Sequence, residues 1–234
     1  MFEQKKITYK MKLLSSLAKV FQDEEPVYQM ECQTLSALWG ETVSFQAAYT
    51  GDFFMRERLD VEVVSPLKDY IRVRTVEQVP VGRATNGIVD DNYLRTEPGL
   101  YPDLLRDVKD GKVIVCSNQW RSLWIDIEVT KDIAPGNYEI ELRLKKEGDV
   151  VTSAKQRLTV IGVELPKQKI MHTEWMHADC LADYYHVDVF SEEHWKILEN
   201  YFKEYVKRGC NMMLTPLFTS PLDTAVDWNV QRLS

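Results

Sequence analysis

Several residue patterns that mark common enzyme classes are missing from this sequence. It contains no G-x-S-x-G, P-loop, G-x-G-x-x-G or H-E-x-x-H motif. Their absence removes the usual signatures of nucleophilic hydrolases, nucleotide-binding proteins and metalloproteases. No apolar run approaches the ~18 residues that a membrane-spanning helix needs. The first six residues lack an apolar signal core, so we expect no secretory signal and a cytoplasmic protein.

An excess of basic charge is also missing. Lysine and arginine number 29 against 36 acidic residues, which gives a net charge of −7. This balance repels phosphate groups, and we expect no nucleic-acid and no membrane partner. Cysteine is scarce too: Cys32, Cys116, Cys180 and Cys210 are widely spaced and form no C-x-x-C pair. Reduced thiols in a cytoplasmic protein are the prediction.

What is present suits a soluble globular protein. The 234 residues are 44% hydrophobic and 28% charged, enough for one large domain or for one domain and part of another. Residues 1–26 fit either a strand or a helical face, and we favour a strand that ends near Ser15. The following region, to Ile161, is nearly all β. Its predicted strands are Tyr28–Ser36, Thr42–Thr50, Leu59–Val64, Ile71–Val79, Lys112–Cys116, Ser122–Thr130, Asn137–Lys145 and Thr152–Ile161.

Two of these strands alternate cleanly between apolar and polar residues. Leu123, Ile125, Ile127 and Val129 occupy one face of the first, and Tyr138, Ile140, Leu142 and Leu144 occupy one face of the second. This period is typical of antiparallel sheets with one face in a core. Seven or eight short strands separated by turn signals predict an immunoglobulin-like β-sandwich. We place this N-terminal domain at residues 1–165.

The segment Val81–Asp110 has many glycines and prolines and few apolar residues in register. It is predicted to be a long loop. Such a loop is either functional, as an interaction surface, or a solvated excursion packed by its own side chains, and the sequence favours neither.

A parallel β-α-β unit is predicted after Pro166. Lys169–Trp175 forms its first strand, Met176–Phe190 a polar loop, Ser191–Arg208 an amphipathic helix and Cys210–Pro216 a second strand. Ser191 suits the helix N-cap and Gly209 the C-terminal cap. The helix face formed by Trp195, Leu198, Phe202, Tyr205 and Val206 is predicted to pack into the core.

The loop after the first strand carries the side chains best suited to chemistry. Trp175, His177, Asp179 and Tyr184 follow the carboxyl end of a predicted parallel strand, where ligands bind in such sheets. Aromatic faces with carboxylate and imidazole groups suit a sugar, although packing at a domain boundary would also explain them. Asp223, after the second strand, would meet this loop.

A metal site is the weaker interpretation of the same region. It would use His172, His177, Asp179 and Cys180, whose spacing matches no dedicated zinc pattern. We therefore predict no metal and no other cofactor.

Several segments resemble glycoside hydrolase family 123. Leu35–Gln46, Tyr101–Leu105, Ser122–Val129 and Pro135–Tyr138 are similar to its N-terminal β-sandwich. His177–Ala182 and Gly209–Thr224 are similar to the opening of its catalytic (β/α)8 barrel. The most specific part is Asn211–Thr224, NMMLTPLFTSPLDT.

The resemblance implies an enzyme like β-N-acetylgalactosaminidase that retains the anomeric configuration. In that family the substrate's acetamido group attacks the anomeric carbon, an acidic residue orients it, and a neighbouring acid protonates the leaving oxygen. The family's Asp-Glu pair lies on a later barrel strand, so no catalytic residue is assigned here. The sequence also departs from the family after Thr224, where Ala225–Ser234 replaces a Gly-Gly-Glu-Arg-like loop.

Two functional hypotheses follow. The first is that the chain is the N-terminal portion of a glycoside hydrolase acting on N-acetylhexosamine glycans, inactive alone, with residues 166–234 a truncated start of the TIM-barrel domain. The second is a stand-alone carbohydrate-binding or protein-interaction β-sandwich module. A homo-oligomer remains possible, and residues from about 217 onward are expected to be mobile or held by a partner chain. The predicted substrate-binding residues are Trp175, His177, Asp179, Tyr184, Thr215 and Asp223.

Overall fold

A computed structural model describes residues 7–27, 34–52, 56–85, 87 and 93–214. The chain is mainly β and divides into two compact units, Met1–Leu165 and Pro166–Ser234. Among the described residues, no helix is both long enough and apolar enough to cross a membrane.

The first unit contains ten described strands. They are β1 (Thr8–Ser15), β2 (Thr34–Trp39), β3 (Thr42–Asp52), β4 (Glu57–Val64), β5 (Ile71–Val81), β6 (Gly99–Asp107), β7 (Lys112–Val115), β8 (Arg121–Glu128), β9 (Gly136–Lys146) and β10 (Asp149–Glu164). Short 3-10 turns, Lys68–Tyr70 and Lys109–Gly111, precede β5 and β7. The strand predicted to end near Ser15 is confirmed as β1.

These strands form two five-stranded sheets. The first has the order β1-β3-β8-β5-β6, and the second has the order β2-β10-β9-β4-β7. The pairings are antiparallel except that β2 runs parallel to β10. The predicted strand Tyr28–Ser36 is placed differently: β2 runs from Thr34 to Trp39, and residues 28–33 lie outside the described part of the chain.

One hydrophobic core is shared by the two sheets. From the first sheet, β8 contributes Leu123, Ile125 and Ile127; from the second, β9 contributes Ile140, Leu142 and Leu144. All six side chains are at most 1% exposed. The alternation predicted for these two strands is therefore confirmed. Burial on this scale is the main source of stability in a domain of this size.

Polar contacts between the sheets supplement the core. The Tyr9 hydroxyl of β1 donates a hydrogen bond to Glu57 of β4, which also accepts one from Lys146 of β9 at 2.8 Å. The Tyr49 hydroxyl of β3 reaches the carbonyl oxygen of Ile114 on β7 at 3.4 Å. These contacts fix the position of one sheet on the other.

The loop prediction for Val81–Asp110 is wrong over Gly99–Asp107, which forms β6. This strand pairs with β5 at the edge of its sheet, and Pro102 lies opposite Gln78 beside a register shift. An edge strand tolerates proline because one side of its backbone needs no partner. The glycine and proline of this segment therefore predicted a loop, although a strand at the edge of a sheet can contain them.

A groove of about 500 Å³ lies beside this edge strand. Its lining includes Phe21, Tyr101 and Arg95. The Arg95 guanidinium lies 3.8 Å from the ring centroid of Phe21 and pairs with Asp23 and Glu24. Arg95 therefore attaches the segment just before β6 to the segment after β1. This contact agrees with the interpretation of Val81–Asp110 as a segment that packs on its own domain.

The second unit contains a parallel strand pair and two helices. Its elements are β11 (Thr173–Trp175), α1 (Ala178–Tyr185), α2 (Glu192–Lys207) and β12 (Met212–Leu214). β11 and β12 pair in parallel from Thr173↔Met212 to Trp175↔Leu214, so the parallel β-α-β arrangement is confirmed. Both strands begin later than predicted. Residues from 215 onward, which include those expected to be mobile from about 217, lie outside the described part.

The caps of α2 are confirmed, but its predicted core face is only partly right. The Ser191 hydroxyl accepts a hydrogen bond from the His194 amide at 3.2 Å, and Gly209 has a φ of 86°. Leu198 is buried in a small core with Met176 and Ala178. Trp195 and Val206, by contrast, are 49% and 71% exposed. The buried face of α2 contains His194 and Leu198, so it is rotated from the predicted face toward His194.

The loop prediction for Met176–Phe190 is also wrong, because α1 occupies Ala178–Tyr185. The helix begins after His177, which is extended and makes no side-chain capping bond. It ends at His186, which takes the left-handed conformation. An eight-residue helix without a capping side chain or a C-terminal glycine gives little signal in the sequence.

Asp126 on β8 is the centre of a partly buried polar network. Its carboxylate accepts hydrogen bonds from the Ser44 hydroxyl and the Trp124 indole, both at 2.7 Å, and pairs with Arg74. Burial alone would raise the pKa of Asp126, but these hydrogen bonds and the arginine outweigh it and hold the pKa below its usual value.

We expect Asp126→Asn to lower the free energy of unfolding at neutral pH by about 1–3 kcal/mol, because a charge-assisted network is lost. A carboxyl whose folded pKa is depressed stabilises the fold above its unfolded pKa and loses that contribution as pH falls through the folded pKa. The difference between variant and wild type should therefore shrink in acid. Urea unfolding at a series of pH values measures it.

Asp107→Asn is the matched control for this experiment. Asp107 pairs with Arg72 on the same sheet, but both side chains are more than half exposed. Such a pair contributes at most about 1 kcal/mol. Equal losses of stability in the two variants would contradict the role assigned to Asp126.

Candidate functional site

The carboxyl ends of β11 and β12 lie side by side. The Met176 amide donates a hydrogen bond to the carbonyl oxygen of Leu214 at 2.9 Å, which continues the pairing beyond the strands. Trp175 is the last residue of β11, and its side chain is 71% exposed. The chain segments that leave the two strands therefore start from one edge, where parallel sheets bind ligands.

His177 and Asp179 follow at the beginning of α1. His177 is half-buried, and its Nδ1 atom is inaccessible yet makes no hydrogen bond within the described residues. Asp179 lies in the first turn of α1, where a carboxylate complements the exposed amides of a helix. Both residues come directly after the exposed indole of Trp175 in the chain.

Three tyrosines lie along one side of the two helices. The Tyr184 ring meets Tyr185 edge to face at 5.0 Å between centroids, and the Tyr185 hydroxyl lies 3.1 Å from that of Tyr201. This hydrogen bond raises the pKa of Tyr201, with a smaller contribution from burial. Tyr184 is 74% exposed and presents its ring to solvent.

His194, which the sequence did not single out, holds the starts of the two helices together. It is fully buried. Its Nδ1 accepts a hydrogen bond from the Phe190 amide at 2.8 Å, so Nε2 carries the proton and donates to the Ala178 carbonyl oxygen at 2.7 Å. The only sequence signal was its position three residues after the capping Ser191.

The six predicted binding residues are thus placed unequally. Trp175, His177, Asp179 and Tyr184 lie on one ten-residue segment, whereas Thr215 and Asp223 fall outside the described residues. No hydrogen bond or ring contact joins the four described side chains to one another within this part of the chain. Their role in substrate binding stays a prediction.

A family model described as the catalytic domain of glycoside hydrolase family 123 matches residues 175–233. The resemblance to glycoside hydrolase family 123 is confirmed. The matched segment begins at Trp175 and includes all six predicted binding residues. It also includes α1, α2, β12 and the specific stretch Asn211–Thr224.

One solved structure has a similar fold. A family 123 glycoside hydrolase from Clostridium perfringens, studied for glycolipid glycan hydrolysis, matches with a TM-score of 0.67 and 19% identity, over 88% of this chain and 37% of that one. This chain thus spans little more than a third of that family 123 structure. The similarity shows a common fold for the covered part.

Other solved structures are much less similar. The N-terminal domain of PorA matches with a TM-score of 0.31 and 9% identity, over 66% of this chain and 99% of that chain. A β-glucosidase from Listeria innocua has a TM-score of 0.31 and 11% identity, over 68% and 17%. Neither bears on the function of this chain. No curated protein sequence matches the chain.

We expect His194→Leu to destabilise the pair of helices α1 and α2 by about 2–4 kcal/mol, because the Phe190 amide and the Ala178 carbonyl would lose their buried partners. Hydrogen exchange across α1 and α2, followed by mass spectrometry, measures the loss of protection. Asn200→Leu, at an exposed position of α2, is the control. Similar exchange in the two variants would show that His194 does not hold the helices together.

Proposed function

We propose that this chain carries the N-terminal β-sandwich and the opening of the catalytic barrel of a glycoside hydrolase that acts on N-acetylhexosamine glycans, with β-N-acetylgalactosaminides as the favoured substrates. The observation that carries the proposal is the match of residues 175–233 to the family 123 catalytic domain. That match falls on a segment whose described part folds as a parallel β-α-β unit.

The architecture of the first unit supports the assignment of an immunoglobulin-like sandwich. Two five-stranded sheets share one core, and nearly all of the pairings are antiparallel. Such sandwiches bury the inward-facing residues of both sheets. The second unit then supplies a parallel strand pair with helices between, which is the repeating element of a (β/α)8 barrel.

Trp175 is the best candidate for a sugar contact. An exposed indole at the carboxyl end of a parallel strand offers a flat apolar face, and the C–H groups of a pyranose ring pack on such a face. His177 and Asp179 follow within four residues and supply groups that exchange hydrogen bonds with hydroxyls. Tyr184 presents a second exposed aromatic ring from the same helix.

The Nδ1 atom of His177, which has no hydrogen-bond partner among the described residues, adds a physical argument. A buried polar atom without a partner costs about 1–3 kcal/mol, so native structures rarely leave one unpaired. A bound sugar hydroxyl would supply the missing hydrogen bond. We propose that His177 is a binding residue of the site and, with Trp175, Asp179, Tyr184, Thr215 and Asp223, forms the part of it that this chain contributes.

The alternative, a stand-alone carbohydrate-binding or interaction module, is not favoured. An independent module gives no reason for a catalytic-domain match that begins at Trp175 and continues to residue 233. The two hypotheses differ in where sugar binds. The glycosidase proposal places it at Trp175, and a sandwich module would bind it on residues 1–165.

An activity assay tests whether the chain is inactive alone. We expect the purified 234-residue chain to hydrolyse an aryl N-acetyl-β-galactosaminide no faster than a protein-free blank, because the Asp-Glu pair implied by the family resemblance is not assigned to any residue of this chain. A complete family 123 enzyme assayed in parallel is the positive control. Turnover at enzyme-like rates would overturn the proposed inactivity while leaving the substrate class intact.

A binding experiment tests the role of Trp175. Calorimetric titration with N-acetylgalactosamine should give weak binding that Trp175→Ala reduces about tenfold, equivalent to ~1.4 kcal/mol. Trp195→Ala is the matched control, since Trp195 is a half-exposed tryptophan of the same unit outside the predicted site. Binding that survives Trp175→Ala unchanged would favour a site on the sandwich, and an equal loss in both variants would indicate unfolding of the unit.

A further inference from the structure

Three side chains able to bind a metal come together beside the amino-terminal half of the β11/β12 pair. They are His172, Glu174 and Cys210, and one nitrogen, one oxygen and one sulfur atom from them all lie within 4.8 Å of one another. The sequence interpretation had considered a different set, of which only His172 belongs to this cluster. This cluster argues against the prediction that the chain binds no metal.

The separation of Cys210 and His172 is close to that of two ligands on a tetrahedral ion. The Cys210 sulfur lies 3.9 Å from His172 Nδ1, whereas Glu174 Oε1 lies 3.1 Å from the other ring nitrogen, Nε2. Zinc binds cysteine sulfur at ~2.3 Å and histidine nitrogen at ~2.0 Å, so two such ligands at a tetrahedral angle stand roughly 3.5 Å apart. A shift of a few tenths of an ångström would bring sulfur and Nδ1 to this separation.

The backbone that carries these ligands is already fixed by Asn211. The His172 amide donates to Asn211 Oδ1 at 2.8 Å, and Asn211 Nδ2 donates to the Ile170 carbonyl at 3.0 Å. The Asn211 and Met212 amides both donate to the His172 carbonyl, at 3.1 and 3.2 Å. These bonds hold the segment around His172 against the residues after Cys210. A site on a rigid scaffold binds with less loss of conformational entropy.

The chemistry of the donor set selects the kind of ion. A thiolate and a carboxylate supply two negative charges and neutral imidazole supplies none, which balances a divalent cation. Sulfur and nitrogen donors favour zinc and similar thiophilic ions over calcium and magnesium, which prefer oxygen. Three protein ligands leave a fourth position for water, as in the open class of zinc sites.

We propose that His172, Glu174 and Cys210 form a binding site for one thiophilic divalent cation of the Zn²⁺ type. Its three protein ligands are the Cys210 thiolate, one imidazole nitrogen of His172 and one carboxylate oxygen of Glu174.

Cobalt titration of the metal-free 234-residue chain tests this proposal. Co²⁺ in a tetrahedral site with a thiolate ligand gives visible d–d bands together with a sulfur-to-cobalt charge-transfer band. We expect both to saturate at one equivalent and to disappear when Zn²⁺ is added. Cys210→Ser should abolish the charge-transfer band and weaken Zn²⁺ binding roughly 100-fold or more, and His172→Gln should weaken it similarly, since even outer-shell changes cost 10–100-fold.

Matched variants separate this site from nonspecific thiol binding. Cys116→Ser and Cys180→Ser remove the other two described cysteines and should leave the band and the Zn²⁺ affinity unchanged. Thermal unfolding with and without Zn²⁺ provides a second readout, because an ion that binds only the folded state raises the melting temperature. Wild type should show this rise, and Cys210→Ser should lose it while its metal-free melting temperature stays near that of wild type.

Three outcomes would overturn the proposal. The first is a charge-transfer band that persists in Cys210→Ser, and the second is a band that Cys180→Ser removes instead. The third is the absence of any thiolate band in folded wild type. In that last case the three side chains would be a hydrogen-bonded Cys-His-Glu group without a metal. None of these outcomes depends on the glycosidase assay, since the readout is spectroscopic.

Discussion

The parallel pairing of β11 with β12 is the constraint on which the second unit depends. Three residues on each strand are enough to bring together chain segments nearly forty residues apart. At one end the pairing places Trp175 and Leu214 side by side. Toward the other end it places Cys210 beside His172. A change of register by one residue would separate both sets, because successive side chains of a strand point to opposite faces.

The helices between the strands support this pairing through a very small core. Met176, Ala178 and Leu198 are its buried members, and His194 provides its polar connection. The described part of this unit buries few side chains and so gains little hydrophobic stabilisation, and each buried hydrogen bond contributes a large share. The first unit is different, since its core includes 18 buried residues from both sheets and their connections.

The sequence predicted those elements whose signal is local. The strict alternation of β8 and β9 predicts two strands from the local sequence alone. In the same way, Ser191 and Gly209 mark the two ends of α2. β6 was missed because Gly99 and Pro102 are breakers in most contexts, and only its place at a sheet edge makes them acceptable. Helix α1 was missed because no capping side chain marks its start.

The candidate sites show the same difference at the level of side chains. Trp175, His177 and Asp179 are neighbours in sequence, so a loop rich in such residues could be recognised without a structure. Cys210 and His172 are neighbours only through a strand register that no local pattern specifies. His194 lay within the predicted helix and was not singled out, yet its two nitrogens satisfy two buried backbone groups. Sequence patterns of this kind identify residues that act together when they are close in the chain, and they miss those that the fold brings together.

Several apolar side chains of the second unit are exposed to solvent. Ile170, Met171 and Met212 are all at least 44% exposed in or beside the parallel pair. Parallel strands are normally covered on both faces, because the helices that connect them pack there. Apolar exposure at a strand pair therefore indicates a surface that other parts of the folded protein cover.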